Sequence, residues 1–86
     1  MKIKVKVKEK PKKIIEINSP FIKLDAFLKL ADAVQSGGHA KMAIQNEEVK
    51  VNGEICTARG KKLRNADVAE FDGVLYEVKA DESADS

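Results

Sequence analysis

Four basic residues lie within six positions of this sequence: Arg59, Lys61, Lys62 and Arg64. No acidic residue lies among them. Guanidinium and ammonium groups bind phosphate oxygens through charge-assisted hydrogen bonds, and Arg can do so in a bidentate manner. The stretch therefore predicts a basic loop that follows a hairpin. By itself such a loop is either simply solvated or the contact site of a phosphate-bearing partner.

Residue types that could act as nucleophile or base are present but share no motif. They are Ser19, Ser36, His39 and Cys56. The single Cys and single His cannot together supply the four ligands of a Cys/His zinc site. The Ser-Gly-Gly at 36–38 lacks the spaced glycines and the following Lys-Ser/Thr of a phosphate loop. We therefore expect a protein that is not an enzyme and holds neither a metal nor a cofactor.

Length and composition limit the class of protein. Eighty-six residues are enough for one domain. The sequence contains no apolar run near the roughly 18 to 20 residues of a membrane helix, so no membrane partner is expected. One cysteine excludes an internal disulfide framework and indicates the reducing cytoplasm.

Charge is distributed unevenly along the chain. Residues 1–13 carry seven lysines and one glutamate, and residues 81–86 carry three acids. Lysines alternate with apolar residues over 2–8, which predicts an edge strand, an arm that lies along phosphates, or a disordered segment. We therefore divide the chain into a basic arm or edge strand at 1–13, a domain at 14–80 and an acidic, disordered tail at 81–86.

The middle of the chain reads as strands and helices. A strand is predicted over 12–18, and helices over 23–34 and 38–46, where apolar residues recur at three- and four-residue spacing. The Gln-Ser-Gly-Gly at 35–38 is predicted to stop the first helix.

Two hairpins follow the helices. Asn52-Gly53 and Asp72-Gly73 both fit a two-residue turn, whose central residues need positive φ. At the first hairpin a strict two-residue loop pairs Lys50 with Ile55, and a longer loop or a shifted register is the alternative. This order of elements predicts an α+β domain with its helices on an antiparallel sheet.

Three stretches form a recognisable pattern: Lys23-Leu24-Asp25, Ala40-Lys41 with Ile44, and Val49-Lys50-Val51-Asn52-Gly53. Together with the Gly-Lys-Lys-Leu-Arg at 60–64, they resemble the RNA-binding domain named after small-subunit ribosomal protein four, here called the S4 domain. The resemblance covers residues 21–78 and extends to the small stand-alone bacterial members of the family.

The resemblance implies a two-helix RNA-binding motif packed on a small antiparallel sheet. It implies binding of structured RNA, often ribosomal, by shape and backbone, which agrees with the lack of an aromatic stacking platform. The implied contact residues are Lys23, Lys41, Arg59, Lys61, Lys62 and Arg64. Their convergence requires a sharp turn at Gly37-Gly38 that reorients the second helix.

The chain departs from the family pattern at three places. Gly37 replaces the usual Arg after the Ser, Glu47 replaces the Gly that ends the second helix, and Asn65-Ala66 replaces a Pro-Gly. Asn46 is expected to cap the second helix instead.

Two functions from different classes fit the sequence. The first is non-catalytic binding of ribosomal RNA or another folded RNA by a cytoplasmic monomer, with DNA as an open alternative because phosphate contacts do not distinguish the two polymers. The second is a protein–protein adaptor that keeps the fold but not the RNA affinity. The adaptor would expose an apolar patch of some hundreds of Å².

Overall fold

The computed structural model describes residues 10–80. The alternating stretch at 2–8 and the acidic tail at 81–86 lie outside these residues. The elements are β1 (Lys12–Ile17), β2 (Phe21–Lys23), α1 (Leu24–Leu30), α2 (Gly37–Gln45), β3 (Val49–Val51), β4 (Glu54–Ile55), β5 (Lys62–Arg64), β6 (Val68–Phe71) and β7 (Val74–Ala80). The boundary that the sequence suggests after residue 13 falls within β1.

The strands form a five-stranded sheet of order β1-β7-β6-β3-β4 and a two-stranded ribbon of β2 and β5. The α+β class is confirmed, but the larger sheet is mixed, because β1 runs parallel to β7. No hairpin turn sets the direction of β1 relative to β7, since both helices and both hairpins intervene. Packing sets it instead: Ile17 lies in register with Ala80, and both side chains are buried.

Both hairpins have the predicted two-residue turns. Asn52 and Gly53 have φ values of 52° and 89°, and Asp72 and Gly73 have 54° and 79°. Lys50 pairs with Ile55, so the first turn is neither longer nor shifted. Positive φ at both central residues is the type I′ geometry, whose twist matches that of the flanking strands.

Helix α1 ends at Leu30, four residues before the predicted end. Asp32 adopts the left-handed conformation with φ 61°, and its N–H donates to the Lys29 carbonyl at 3.0 Å. The Ala33 N–H donates to the Leu28 carbonyl at 2.9 Å. These two bonds form a Schellman motif, which closes the helix although apolar residues continue at helical spacing.

Helix α2 begins earlier than predicted, because Ser36 is its N-cap. The Ser36 hydroxyl accepts a hydrogen bond from the His39 N–H at 3.1 Å. Gly37 and Gly38 are therefore the first two residues of α2, and the reorienting turn lies at 31–36. The expectation of a turn at the glycine pair is therefore wrong in position. The Ser36 side chain satisfies a backbone N–H of the first helical turn, which allows the helix to begin at Gly37.

One core joins the helices to both sheets. Leu24, Phe27 and Leu28 of α1 are fully buried, and so are Ala40 and Ile44 of α2. The strands contribute Val49, Val51, Leu63, Ala69, Phe71, Tyr76 and Val78. Leu63 of β5 packs in this core, so one face of the ribbon is in contact with it.

Candidate nucleic-acid interface

The β2–β5 ribbon brings together basic residues that are distant in sequence. Phe21 pairs with Arg64, Ile22 with Leu63 and Lys23 with Lys62. Directly opposed residues share a face, and faces alternate along a strand. Ile22 and Leu63 therefore face the core, while the opposite face carries Phe21, Lys23, Lys62 and Arg64.

This pairing corrects part of the predicted basic loop. Lys62–Arg64 is strand β5, and only the residues before it form a loop. A three-residue strand with two charged positions has too little apolar alternation to be recognised alone. Its pairing with β2 and the burial of Leu63 supply the missing order.

The remaining loop residues cap helix α1. Its N-cap residue, Lys23, makes no side-chain capping bond. Instead the Leu24 N–H donates to the Lys61 carbonyl at 2.8 Å, and the Asp25 N–H donates to the Arg59 carbonyl at 3.2 Å. Backbone donors at a helix start need such partners, so the basic loop is fixed to the first turn of α1 by its own carbonyls.

Five of the six predicted contact residues thus converge at one end of α1. They are Lys23, Arg59, Lys61, Lys62 and Arg64, and all are exposed. Lys41 is also exposed, in the middle of α2. Within residues 10–80 no hydrogen bond or strand pairing links the Lys41 side chain to the other five.

The converging cations are free of ion pairs within the part of the chain that the structure describes. The salt bridges there involve other lysines: Lys10 with Glu70, and Lys12 with Glu77 at 2.6 Å. The two lysines at the base of the basic arm are therefore neutralised on the sheet. The cations of the ribbon and loop keep their charge available for an external anion.

Phe21 is a member of this surface that the sequence reasoning missed. The Lys62 ammonium lies 4.8 Å from the ring centroid, and the Arg64 guanidinium carbon lies 5.7 Å from it. Both distances are within the range of cation–π attraction. The signal available in the sequence was an aromatic residue two positions before Lys23 in a chain with few aromatic residues.

Asn52 and Asp67 connect the first hairpin to the end of β5. The Asn52 amide donates to the Asp67 carboxylate at 3.2 Å, and its carbonyl oxygen accepts from the Val68 N–H at 3.0 Å. The other Asp67 oxygen accepts from the Arg64 N–H at 2.8 Å. Asn52 therefore does more than permit the turn, since it helps to hold the backbone that carries Arg64.

The residue types considered for catalysis have structural partners. His39 Nδ1 accepts from the Gln35 N–H at 3.4 Å, and its ring lies edge-on to Phe71. The Ser36 hydroxyl caps α2, and the Cys56 thiol lies 3.7 Å from the Ala58 carbonyl. Across residues 10–80 no three His, Cys, Asp or Glu side chains are grouped as a metal site would require.

Comparison with known families bears on this arrangement. Residues 15–79 match the family described as S4 domain. The chain belongs to the S4 domain family. The resemblance drawn from the sequence motifs is thereby confirmed, and with it a role connected with RNA.

One relative of this S4 domain is named "Probable ribosome maturation protein RlbA", from Bacillus subtilis (strain 168). It is 49% identical over 59 residues, which cover 69% of this chain and 83% of the relative. Among the described residues, no helix has the length and apolar character needed to cross a membrane.

The departures from the S4 pattern have visible geometric consequences. Asn46 is the C-cap residue of α2, as expected, and Glu47 takes the left-handed position that follows it, with φ 63°. The Glu47 and Glu48 N–H groups bond the Ile44 and Ala43 carbonyls in a second Schellman motif. Where Asn65-Ala66 replaces the Pro-Gly of the family pattern, Ala66 has φ 76°, and the Asn65 side-chain oxygen accepts from the Ala80 N–H at 2.9 Å.

Proposed function

We propose that this S4-domain protein binds structured RNA without catalysing a reaction, through the basic face of the ribbon and loop. The observation that carries the proposal is the convergence of Lys23, Arg59, Lys61, Lys62 and Arg64 without ion pairs among residues 10–80. Strand pairing and the helix cap fix the backbone that carries these cations, so only their side chains must be ordered when RNA binds. Lys41 belongs to the proposed face as a flanking contact on α2.

The partner we propose is ribosomal RNA or another folded RNA associated with the ribosome. The name of the Bacillus subtilis relative supports this choice, since it describes a probable ribosome maturation protein. Family membership supports the non-enzymatic role. We propose that the protein acts as a monomer in the cytoplasm, where ribosomes mature.

A salt titration against total ribosomal RNA tests the proposal. If about four phosphates are neutralised, the logarithm of affinity falls with the logarithm of salt concentration at a slope of roughly −3 to −4. The site variant replaces Lys23, Lys62 and Arg64 by Gln. We expect it to bind more weakly, with a slope smaller in magnitude by about 2 to 3.

A matched variant controls for net charge by replacing Lys13, Lys29 and Lys79 by Gln. These three lysines are exposed but lie outside the ribbon and loop. It should bind nearly as the unmodified protein does. A second control replaces Lys2, Lys4, Lys6 and Lys8 by Gln in the full chain. Loss of binding in this control alone would assign RNA binding to the arm and contradict the proposed face.

The adaptor alternative gains little from the exposed apolar residues. Ile14, Leu30, Met42 and Ile55 are each more than half exposed, but they lie on four different elements. Ile14 and Ile55 lie on strands at opposite edges of the large sheet. Absence of RNA binding by the unmodified protein at moderate salt would nevertheless favour the adaptor.

A further inference from the structure

Phe21 differs from the other aromatic residues in its surroundings. Phe27, Phe71 and Tyr76 are buried in the core. Phe21 is half-buried on the ribbon and is not part of the core cluster or of the apolar residues packed against it. Core packing therefore does not explain an aromatic ring at this position.

The contacts of Phe21 are made with cations of the proposed binding face. Lys62 and Arg64 both approach its ring, and the strand register places Lys23 on the same face. The outer face of the ribbon thus combines one π surface with three positive charges and contains no acid. Proteins that bind unpaired nucleotides use this combination, with the aromatic ring under the base and the cations on the phosphates.

We propose that Phe21 stacks on an unpaired base of the bound RNA while Lys62 and Arg64 contact the adjacent phosphates. This inference rests on the proposed RNA binding and deepens it, because it specifies an unpaired nucleotide as the group that the ribbon receives. Stacking on a phenyl ring accepts any base, since every base has a π face. The contact adds selectivity for a bulge or loop over a continuous duplex, without selectivity for sequence.

The position of Lys62 suggests how the ring becomes available. Its ammonium lies 4.8 Å from the ring centroid, close to the place that a stacked base would occupy. The lysine stem is flexible, so the ammonium can move to a phosphate as the base takes its place. In the absence of RNA the same ammonium shields the apolar ring from water.

The first test compares Phe21→Leu with the unmodified protein on two RNA hairpins at one salt concentration. One hairpin contains an internal bulge, and the other is identical except that the bulge is deleted. In both, a non-nucleotide linker replaces the terminal loop, so that the bulge supplies the unpaired bases. Leu keeps an apolar side chain but removes the π face. Loss of base stacking should lower affinity for the bulged hairpin about tenfold, which corresponds to about 1.4 kcal/mol, with little change for the paired hairpin. An equal loss on both hairpins would overturn the inference, because Phe21 would then act by orienting Lys62 and Arg64.

The second test uses Phe21→Trp, which introduces the only tryptophan of the chain. We expect it to retain binding, and its fluorescence to be quenched by the bulged hairpin and much less by the paired one. Emission that stays unchanged at saturating bulged hairpin would overturn the inference. Ile14→Ala is the control for the affinity measurements of the first test. Ile14 is 60% exposed on β1 and away from the ribbon, so its replacement should leave the affinity for both hairpins unchanged.

The two proposals fail in distinguishable ways. If the unmodified protein binds neither the hairpins nor ribosomal RNA, both the proposed function and this inference are wrong. If it binds with the expected salt dependence but Phe21→Leu keeps full affinity for both hairpins, only the stacking inference is wrong.

Discussion

Lys23 and Lys62 stand directly opposite each other in the antiparallel pairing of β2 with β5. Like charges at opposed positions lower the stability of a sheet, because their Cβ atoms are only about 5 Å apart. Neither lysine forms an ion pair with another residue in the range 10–80. The repulsion lies in the ribbon that we propose for RNA binding, where a phosphate between the two ammonium groups would relieve it.

Replacing one lysine of this pair by an acid should separate stability from binding. Lys23→Glu changes a like-charge pair into an attractive one and leaves the Lys62–Phe21 contact in place, so we expect the free energy of unfolding to rise by about 0.5–1 kcal/mol. The same change should weaken ribosomal RNA binding, because it removes a phosphate contact and adds a negative charge. Urea denaturation and the salt titration measure the two effects.

Lys50→Glu is the matched control for this prediction. Lys50 lies opposite Glu70 in the pairing of β3 with β6, so the same change of charge creates repulsion there. It should lower the free energy of unfolding by a similar amount. Equal stabilisation by both variants would attribute the effect to net charge and contradict the role of the Lys23–Lys62 pair.

Ala66→Gly should stabilise the protein. Ala66 is held at φ 76°, a left-handed conformation that costs an L-residue about 1–2 kcal/mol, and glycine adopts it freely. Part of the gain is offset by the greater freedom of glycine in the unfolded chain, which leaves about 0.5–1 kcal/mol. The thermal midpoint measures it. Ala58→Gly, at an exposed loop position without positive φ, should be neutral or destabilising.

The two type I′ turns allow the side chain of Asn52 to be tested apart from its backbone. Asn52→Gly preserves the turn but removes the bonds to Asp67 and Val68, so we expect a loss of about 1–2 kcal/mol in unfolding free energy. Asp72→Gly makes the corresponding change in the other hairpin, where the Asp72 side chain makes no hydrogen bond within residues 10–80. It should be neutral or slightly stabilising. Equal effects of the two substitutions in denaturation experiments would show that the Asn52 bonds contribute nothing.

Tyr76 should make the protein sensitive to alkali. Burial raises the pKa of its phenol above the ordinary value of 10.0, and the charges of Asp72 and Asp32 add to the increase. The unfolded state therefore loses this proton first, and stability is unaffected below pH 10 but falls as pH rises beyond it. Tyr76→Phe should lessen this fall. The unfolding free energies of both proteins can be measured from pH 8 to 11. A difference between them that does not change with pH would contradict the prediction.

Local signals in the sequence predicted the parts of the fold that local chemistry determines. Asn52-Gly53 and Asp72-Gly73 predicted the positions of both hairpins, because their central residues tolerate positive φ. The register of the first hairpin stayed open at the sequence level, since its apolar alternation is imperfect, and the structure resolved it. The end of α1 was not predictable in this way. The apolar spacing continues to Val34, and an aspartate rather than a glycine takes the left-handed position.

The candidate site was predictable in composition but not in geometry. The family motifs named its cations, yet nothing local indicates that Phe21–Lys23 pairs with a strand nearly forty residues later. That pairing depends on the burial of Leu63 and Ile22 against the core, which is a property of the whole fold. Phe21 was missed for the same reason, since its role follows from the cations that the pairing brings over its ring.

The parallel pairing of β1 with β7 has a consequence for how the protein is made. A ribosome adds about 5–20 residues per second, whereas helices and hairpins form within microseconds. β1 has no partner until the last described strand has been made, and the core that holds the ribbon also needs residues of β6 and β7. During synthesis β1 therefore stays unpaired and the basic face stays unformed until β7 is available, so we expect RNA binding only by chains that have been made through Ala80.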